Sequence, residues 1–155
     1  MKIYILSMGK GMPRWVEEGV EEYIKRMPKN FELELREVSA LKRGDNANAS
    51  LIKTQESLRL LEKIPPQTYS IALDPRGKKL TTEAFADQLK HFYEEHQDIT
   101  FIIGGPEGLS DTLLTKVSAR WSLSELTFPH ALVRILLAEQ VYRAMTLIKG
   151  LPYHR

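Results

Sequence analysis

The segment Ile99-Thr-Phe-Ile-Ile103 carries no charge on either side of an extended chain. A strand apolar on both faces must be covered on both faces, and that condition is met in parallel sheets sandwiched between helices. Ile3 to Ser7 and Tyr69-Ser-Ile-Ala-Leu73, which ends at Asp74, read the same way. Phe31 to Val38 alternates apolar and polar residues instead, as a half-exposed strand towards a sheet edge does. Helical patterns separate these strands. Trp15, Val16, Gly19, Val20, Tyr23, Ile24 and Met27 recur at three- and four-residue spacing, which predicts a helix to about Met27, stopped by Pro28. Ser50 is a candidate cap for a helix to about Lys63, with Leu51, Leu58 and Leu61 inside. Thr81 or Thr82 opens another, to about His96, and Ser110 and Asp111 cap a short one. Trp121 to Phe128 is a strand or an ordered loop. Pro129 opens a long helix from about His130 to Lys149, closed by Gly150, with residues 151–155 beyond it. Pro75-Arg76-Gly77-Lys78-Lys79 reads as a basic turn. The expected architecture is α/β, a mostly parallel sheet with helices on both faces, in one domain spanning 1–155.

Composition narrows the function classes. At 155 residues, 43% apolar and 27% charged, the chain has enough material for a core without a metal or disulfide staple. It has no cysteine, which excludes disulfides, thiolate metal sites and thiol nucleophiles. A net charge of +2 is too balanced for a bulk nucleic-acid or polybasic membrane binder, so an RNA role must use locally clustered cations. No apolar run reaches the ~18 residues of a membrane span. The apolar start at Met1 to Leu6 stops at Lys10 with no small-residue cleavage site, so it reads as a first strand, and the expected compartment is the cytoplasm. His91 and His96 are five apart, off the i, i+4 face that a helical metal pair needs, and no metal is expected.

In parallel sheets ligands sit beyond the carboxyl ends of strands. Three loops therefore compete: those after Ser7, Leu73 and Ile103. Gly9-Lys10-Gly11, with Glu37 ending the second strand, has the setting of a dinucleotide fingerprint, but Arg14 stands in place of the third glycine and a plain tight turn is preferred. Gly104-Gly105-Pro106-Glu107-Gly108 is the better ligand loop, because three glycines in five residues exceed what a strand–helix turn requires. Glu107 or Asp111 there can accept from a hydroxyl, and the loop lacks the lysine ending of a phosphate-binding P-loop. His130 is either an orienting residue or a neighbour of the helix cap. Tyr153, His154 and Arg155 bring a phenol, an imidazole and a guanidinium to a terminus, where inert, frayed residues are the rule. The last helix is apolar nearly all round, through Leu132, Val133, Ile135, Leu136 and Leu137, so a partner protomer is an expected second wall. Arg134, Glu139 and Arg143 on such a helix are expected to be paired or to face a site.

Several ordered segments, Ile102 to Leu109, Trp121 to His130, Val133-Arg134, Glu139 to Ala144 and Pro152-Tyr153-His154-Arg155, together resemble the small SPOUT-superfamily methyltransferases that act on a pseudouridine of bacterial 23S rRNA. The likeness extends to Met12-Pro13-Arg14-Trp15 and Lys42-Arg43-Gly44 near the front. It implies a C-terminal trefoil knot, a homodimer, and S-adenosyl-L-methionine as methyl donor, held at Leu73, Gly104, Gly105 and the run Leu123, Ser124, Glu125, Leu126, Thr127 and Phe128. It implies methylation at N3 of a pseudouridine in a 23S rRNA stem-loop within the assembled ribosome.

On that reading the imide proton falls to His154 or Glu139, Arg143 or Arg155 steadies the anionic ring, and Tyr153 stacks on the base or bonds to it. The tail is expected to complete a partner's site, giving a composite active site. RNA contacts are expected from Lys42, Arg43, Arg76, Lys78, Lys79 and the helix at Lys25-Arg26. Two other readings stand beside it: a dinucleotide-dependent oxidoreductase using the Gly9 turn, and a ribosome-binding module without activity, which the intact terminal motif disfavours.

Overall fold

The structure, a computed structural model, describes residues 1–44 and 46–154, and of His154 the backbone only. Five parallel strands form one sheet: β1 (Lys2–Met8), β2 (Glu32–Val38), β3 (Tyr69–Lys79), β4 (Ile99–Ile103) and β5 (Ala119–Ser122), in the order β2-β1-β4-β3-β5. The helices are α1 (Arg14–Ile24), α2 (Ala49–Lys63), α3 (Thr82–Glu94), α4 (Asp111–Lys116) and α5 (His130–Ile148), followed by a single 3-10 turn, Pro152–His154. The alternating pleat divides the core. Ile3, Ile5, Ile71, Ile99, Phe101 and Ile103 face α1, α3 and α5. Leu6, Met8, Ala72 and Ile102 face α2 and α4. β4 is buried at all five positions and β2 is an edge strand with alternating exposure, as their sequences require.

Several boundaries differ from the sequence reading, each for a local reason. β3 does not end at Asp74: residues 75–79, expected as a basic turn, are the far half of the strand. Leu73 and Lys78 both pair with Trp121, so residues 74–77 form a bulge against β5. Gly77 permits it, because a Cβ there would lie 2.7 Å from the backbone of Arg120 and Trp121. α1 ends at Ile24 rather than Met27, and Trp15 projects into solvent.

The cap of α2 is Asn48, whose side chain accepts from the Leu51 amide, in place of Ser50. Its buried face is Ile52, Glu56, Ser57 and Leu60, whereas Leu51 and Leu58 are exposed. Thr81 caps α3, and Ser110 caps α4 through the Leu113 amide. Residues 123–129 are a loop, not a strand. They lead from β5 at one edge to α5, whose second turn reaches β1: Arg134 donates to the Met8 and Gly9 carbonyls at 2.9 and 2.8 Å. The chain thus passes over the carboxyl ends of β3 and β4 on the way.

Candidate active site

That crossing roofs a cleft of about 660 Å³, within the range of small-molecule sites. One wall is the middle of β3 at the start of its bulge, Leu73, Asp74 and Pro75; another is the turn Gly104 to Leu109; the third is the crossing segment with the start of α5, through His130 and Val133. The turn is tight because Gly108 donates to the Gly105 carbonyl at 2.9 Å, with Gly108 at φ +80°. Gly104 is buried, and a Cβ on it would sit 2.9–3.0 Å from Leu109 and the Gly108 backbone. The walls combine apolar side chains with exposed backbone groups, a lining suited to a ligand with both a flat apolar part and a polar edge.

Of the sequence candidates, Leu73, Gly104, Gly105, Leu123, Ser124, Leu126, Thr127 and Phe128 line this one cleft. Glu125 does not: its carboxylate turns outward to the Lys79 ammonium. Ser124 organises the segment instead, its hydroxyl accepting from the Leu126 amide and its carbonyl accepting from Ser122 Oγ. Two titratable residues not singled out for the cofactor also line the cleft, Asp74 and His130. Burial alone would raise the Asp74 carboxyl, but bonds from the Arg76 amide and guanidinium outweigh it and hold the group below its ordinary value. His130 is held below its ordinary value by burial and by the Arg134 and Arg43 charges, so its imidazole is neutral near pH 7.

The terminal candidates gather elsewhere. The Tyr153 hydroxyl donates to Glu139 Oε1 at 3.1 Å, and Arg143 Nε donates to the same oxygen at 2.9 Å. Gln140 donates to Glu139 Oε2 at 2.8 Å. The Arg143 guanidinium stacks 5.0 Å from the Tyr153 ring, and Tyr142 meets that ring edge-on at 4.6 Å. Residues 152–154 therefore do not hang free; their backbone folds back on α5. Burial first, and then Glu139, push the Tyr153 phenol up to about 12. The side chain of His154, and Arg155 as a whole, lie outside the described residues.

Glu139 already accepts three side-chain donors, which counts against it as a free proton acceptor. At about 1.5 Å per helical residue, Arg143 lies roughly 15 Å along α5 from Val133 in the cleft wall. Within one chain the cleft and the terminal cluster are apart.

Most of the expected RNA cations are paired internally: Arg43 with Glu107, Arg76 with Asp74 and Asp111, Lys79 with Glu125, and Lys25 and Arg26 with Glu22. Lys42 and Lys78 are exposed, without an ion pair among the described residues. The dinucleotide reading loses its ribose acceptor, because the Glu37 carboxylate is bound by the buried Arg134 guanidinium at 2.6 Å. Among the described residues no group of three His, Asp or Glu is arranged to hold a metal, and no helix is long and apolar enough to cross a membrane.

Known proteins resemble this chain along its whole length. A relative from Chromohalobacter salexigens, named ribosomal RNA large subunit methyltransferase H, is 46% identical, with all of both chains covered. Relatives of the same name from Thioalkalivibrio sulfidiphilus and Coxiella burnetii are each 43% identical over the full chain, covering 99% and 100% of those proteins. Two solved structures share the fold. A probable methyltransferase from Bordetella pertussis has a TM-score of 0.54 at 16% identity, over 92% of this chain and 95% of that one. A probable methylase family protein from Haemophilus influenzae has a TM-score of 0.57 at 12% identity, over 96% of this chain and 67% of that one. The family model described as "Predicted SPOUT methyltransferase" matches residues 1–154. With its cleft beyond the strand ends, its whole length shared with those relatives and this model matched almost end to end, the chain belongs to the SPOUT methyltransferase family.

Proposed function

We propose that this protein is an S-adenosyl-L-methionine-dependent methyltransferase of large-subunit ribosomal RNA, acting at N3 of a pseudouridine in a 23S stem-loop of the assembled cytoplasmic ribosome. The observation that carries the reading is the full-length kinship with relatives named for that class of substrate. The cleft supports the choice of cofactor. Leu73, Leu109, Leu126 and Phe128 offer apolar walls to an adenine, Gly104, Gly105 and Gly108 leave the backbone unshielded towards a ribose, and Asp74 brings a carboxylate towards cationic or hydroxyl groups.

When bound, the cofactor supplies a methyl group made electrophilic by a sulfonium. The chain's own part is to hold the nucleobase in line, exclude water and stabilise the imide once its proton has left. Arg143 is suited to the anion, Tyr153 to stacking or bonding with the base, and His154 is the remaining proton acceptor of the terminal motif. Glu139 holds Tyr153 and Arg143 in place.

The separation of cleft and terminal cluster along α5 favours a homodimer in which one protomer's tail completes its partner's cleft. Leu132, Val133 and Leu136 are only half-buried in the single chain, and a second copy would cover them. Passage of residues 123–129 through the preceding loops would be the trefoil crossing of the family.

The test is ribosome methylation with labelled cofactor, read by mass spectrometry of 23S rRNA fragments from a deletion strain. Loss of one methyl on a pseudouridine is expected, and an unchanged fragment pattern defeats the reading. For the composite site, a chain lacking 153–155 is mixed with a Gly104→Val chain. Recovered activity in the mixture is expected, and two inactive chains that stay inactive together exclude tail exchange. A thermal-shift comparison of S-adenosyl-L-methionine with NAD separates the oxidoreductase alternative.

A further inference from the structure

The cations expected from the sequence to meet RNA are mostly spent on internal ion pairs, yet Lys10, Arg59 and Lys63 have none among the described residues. A groove of about 610 Å³ runs between the carboxyl end of β2 and the second half of α2. Lys10, Arg36, Arg59 and Lys63 line it, against two carboxylates among the described residues, Glu37 and Glu62. Glu37 is already neutralised from behind by the fully buried Arg134. Lys10 and Lys63 are exposed and have no ion pair among the described residues. Arg59 spends one bond on the Ser39 carbonyl, at 2.8 Å, which holds its guanidinium in position without cancelling its charge. Arg36 lies over the Tyr4 ring at 4.6 Å and shares Glu34 at 3.3 Å.

Position adds to charge. Lys10 follows Gly9, and a Cβ on Gly9 would lie 4.0 Å from His130 Nε2, on the cleft wall. The groove thus begins one residue from the turn that touches the cleft.

We propose that this groove is a seat for the phosphodiester backbone of the substrate RNA, with Lys10, Arg59 and Lys63 as phosphate contacts, so that a strand held there leads its target nucleotide towards the cleft. The inference rests on the rRNA reading above and adds a site to it. Phosphates suit the groove because Lys10, Arg59 and Lys63, three cations without an ion pair among the described residues, surround an open trough and match a chain of evenly spaced monoanions, whereas an apolar partner would leave those charges desolvated and unpaired. Such contacts position without reading sequence, so an RNA of arbitrary sequence is an adequate probe.

The experiment measures binding of a fluorescently labelled RNA hairpin of arbitrary sequence to the full chain across a potassium chloride series. Lys10→Gln/Lys63→Gln is compared with the wild type and with Lys90→Gln, which removes an exposed charge from α3 on the opposite face of the sheet. Each lost phosphate contact lowers the slope of log affinity against log salt by about 0.7–0.9, so the double variant should lose roughly 1.5 of slope and about tenfold in affinity, with Lys90→Gln unchanged. A slope in the double variant equal to that of the wild type overturns the groove. So does a variant that loses binding to poly-glutamate but keeps it to RNA, since that would make the seat one for an acidic protein. Methyl transfer to ribosomes by the wild type is scored separately: its absence sinks the rRNA reading and the groove with it, whereas transfer with an unchanged slope in the double variant removes the groove alone.

Discussion

Tyr153 donates its hydroxyl to Glu139 Oε1, and this bond fastens the terminal turn to the helix that also carries Arg143. Both side chains are partly exposed, so the bond is a modest contribution to stability and a large one to geometry. Tyr153→Phe should cost about 1 kcal/mol in urea unfolding. It should lower methyl transfer tenfold or more while cofactor affinity, measured calorimetrically, stays within a factor of two, because the cleft lies at the other end of α5. Equal losses in both would mean that the tail serves the cofactor.

The same bond is visible in a titration. The folded state raises the Tyr153 phenol from 10.0 to about 12, so its contribution is fully present below pH 10 and disappears as pH rises through 12. Glu139→Gln removes one cause of the rise and leaves burial, the larger one. Tyrosinate absorbance should then show the late phenol ionising earlier. A late phenol unmoved by Glu139→Gln would show that burial alone is responsible.

His130 makes stability fall on mild acidification. Its folded value lies below 6.5, chiefly through burial, so the unfolded chain takes up a proton first. The stabilisation is present above pH 6.5 and is lost as pH drops below it, towards the folded value. His130→Asn should flatten melting temperature against pH below about 6.5. A slope identical to the wild type would assign the acid sensitivity to carboxylates such as Asp74, which lose their contribution only below their ordinary range.

Arg134 is fully buried and donates to the Met8 and Gly9 carbonyls and to Glu37. Arg134→Ala leaves two carbonyls without their donor, a carboxylate without its cation and a cavity at the carboxyl end of β1. The expected loss is about 3–5 kcal/mol in chemical denaturation. Arg134→Met fills the volume and should recover part of it. If both variants unfold like the wild type, Arg134 does not anchor α5.

Gly77→Ala tests the bulge. The added methyl meets the Arg120–Trp121 backbone, so β3 and β5 must separate, at about 1–3 kcal/mol. Because β5 leads directly into residues 123–128, cofactor affinity should fall as well. A destabilised protein with unchanged affinity would show that the crossing segment is held independently of β5.

The uneven legibility of α2 and β3 has a physical basis. Leu51 and Leu58 read as inward residues because hydropathy is the strongest periodic signal, yet α2 turns Glu56 and Ser57 to the core. Distant groups hold them there: the Leu41 amide donates to Glu56 Oε2, while Oε1 has no partner among the described residues, and Ser57 Oγ accepts from the Ser110 amide. Pro75 and Gly77 read as a turn because nothing in the local sequence announces the strand that comes to lie beside them. The terminal residues read as frayed for the same reason, since the partners of Tyr153 lie on a helix that packs them only once the fold is complete.

Local sequence determined the order of strands and helices, the burial of β4 on both faces, the edge character of β2 and the loops beyond the strand ends, because hydrophobic period, glycine freedom and caps act within a few residues. Tertiary structure alone decided which carboxylates are free, which cations are spent, how far the tail stands from the cleft and where α5 is pinned. Those are properties of pairs such as Arg134 and Glu37, separated by most of the chain, and charge or exposure at such positions exists only after the elements have packed.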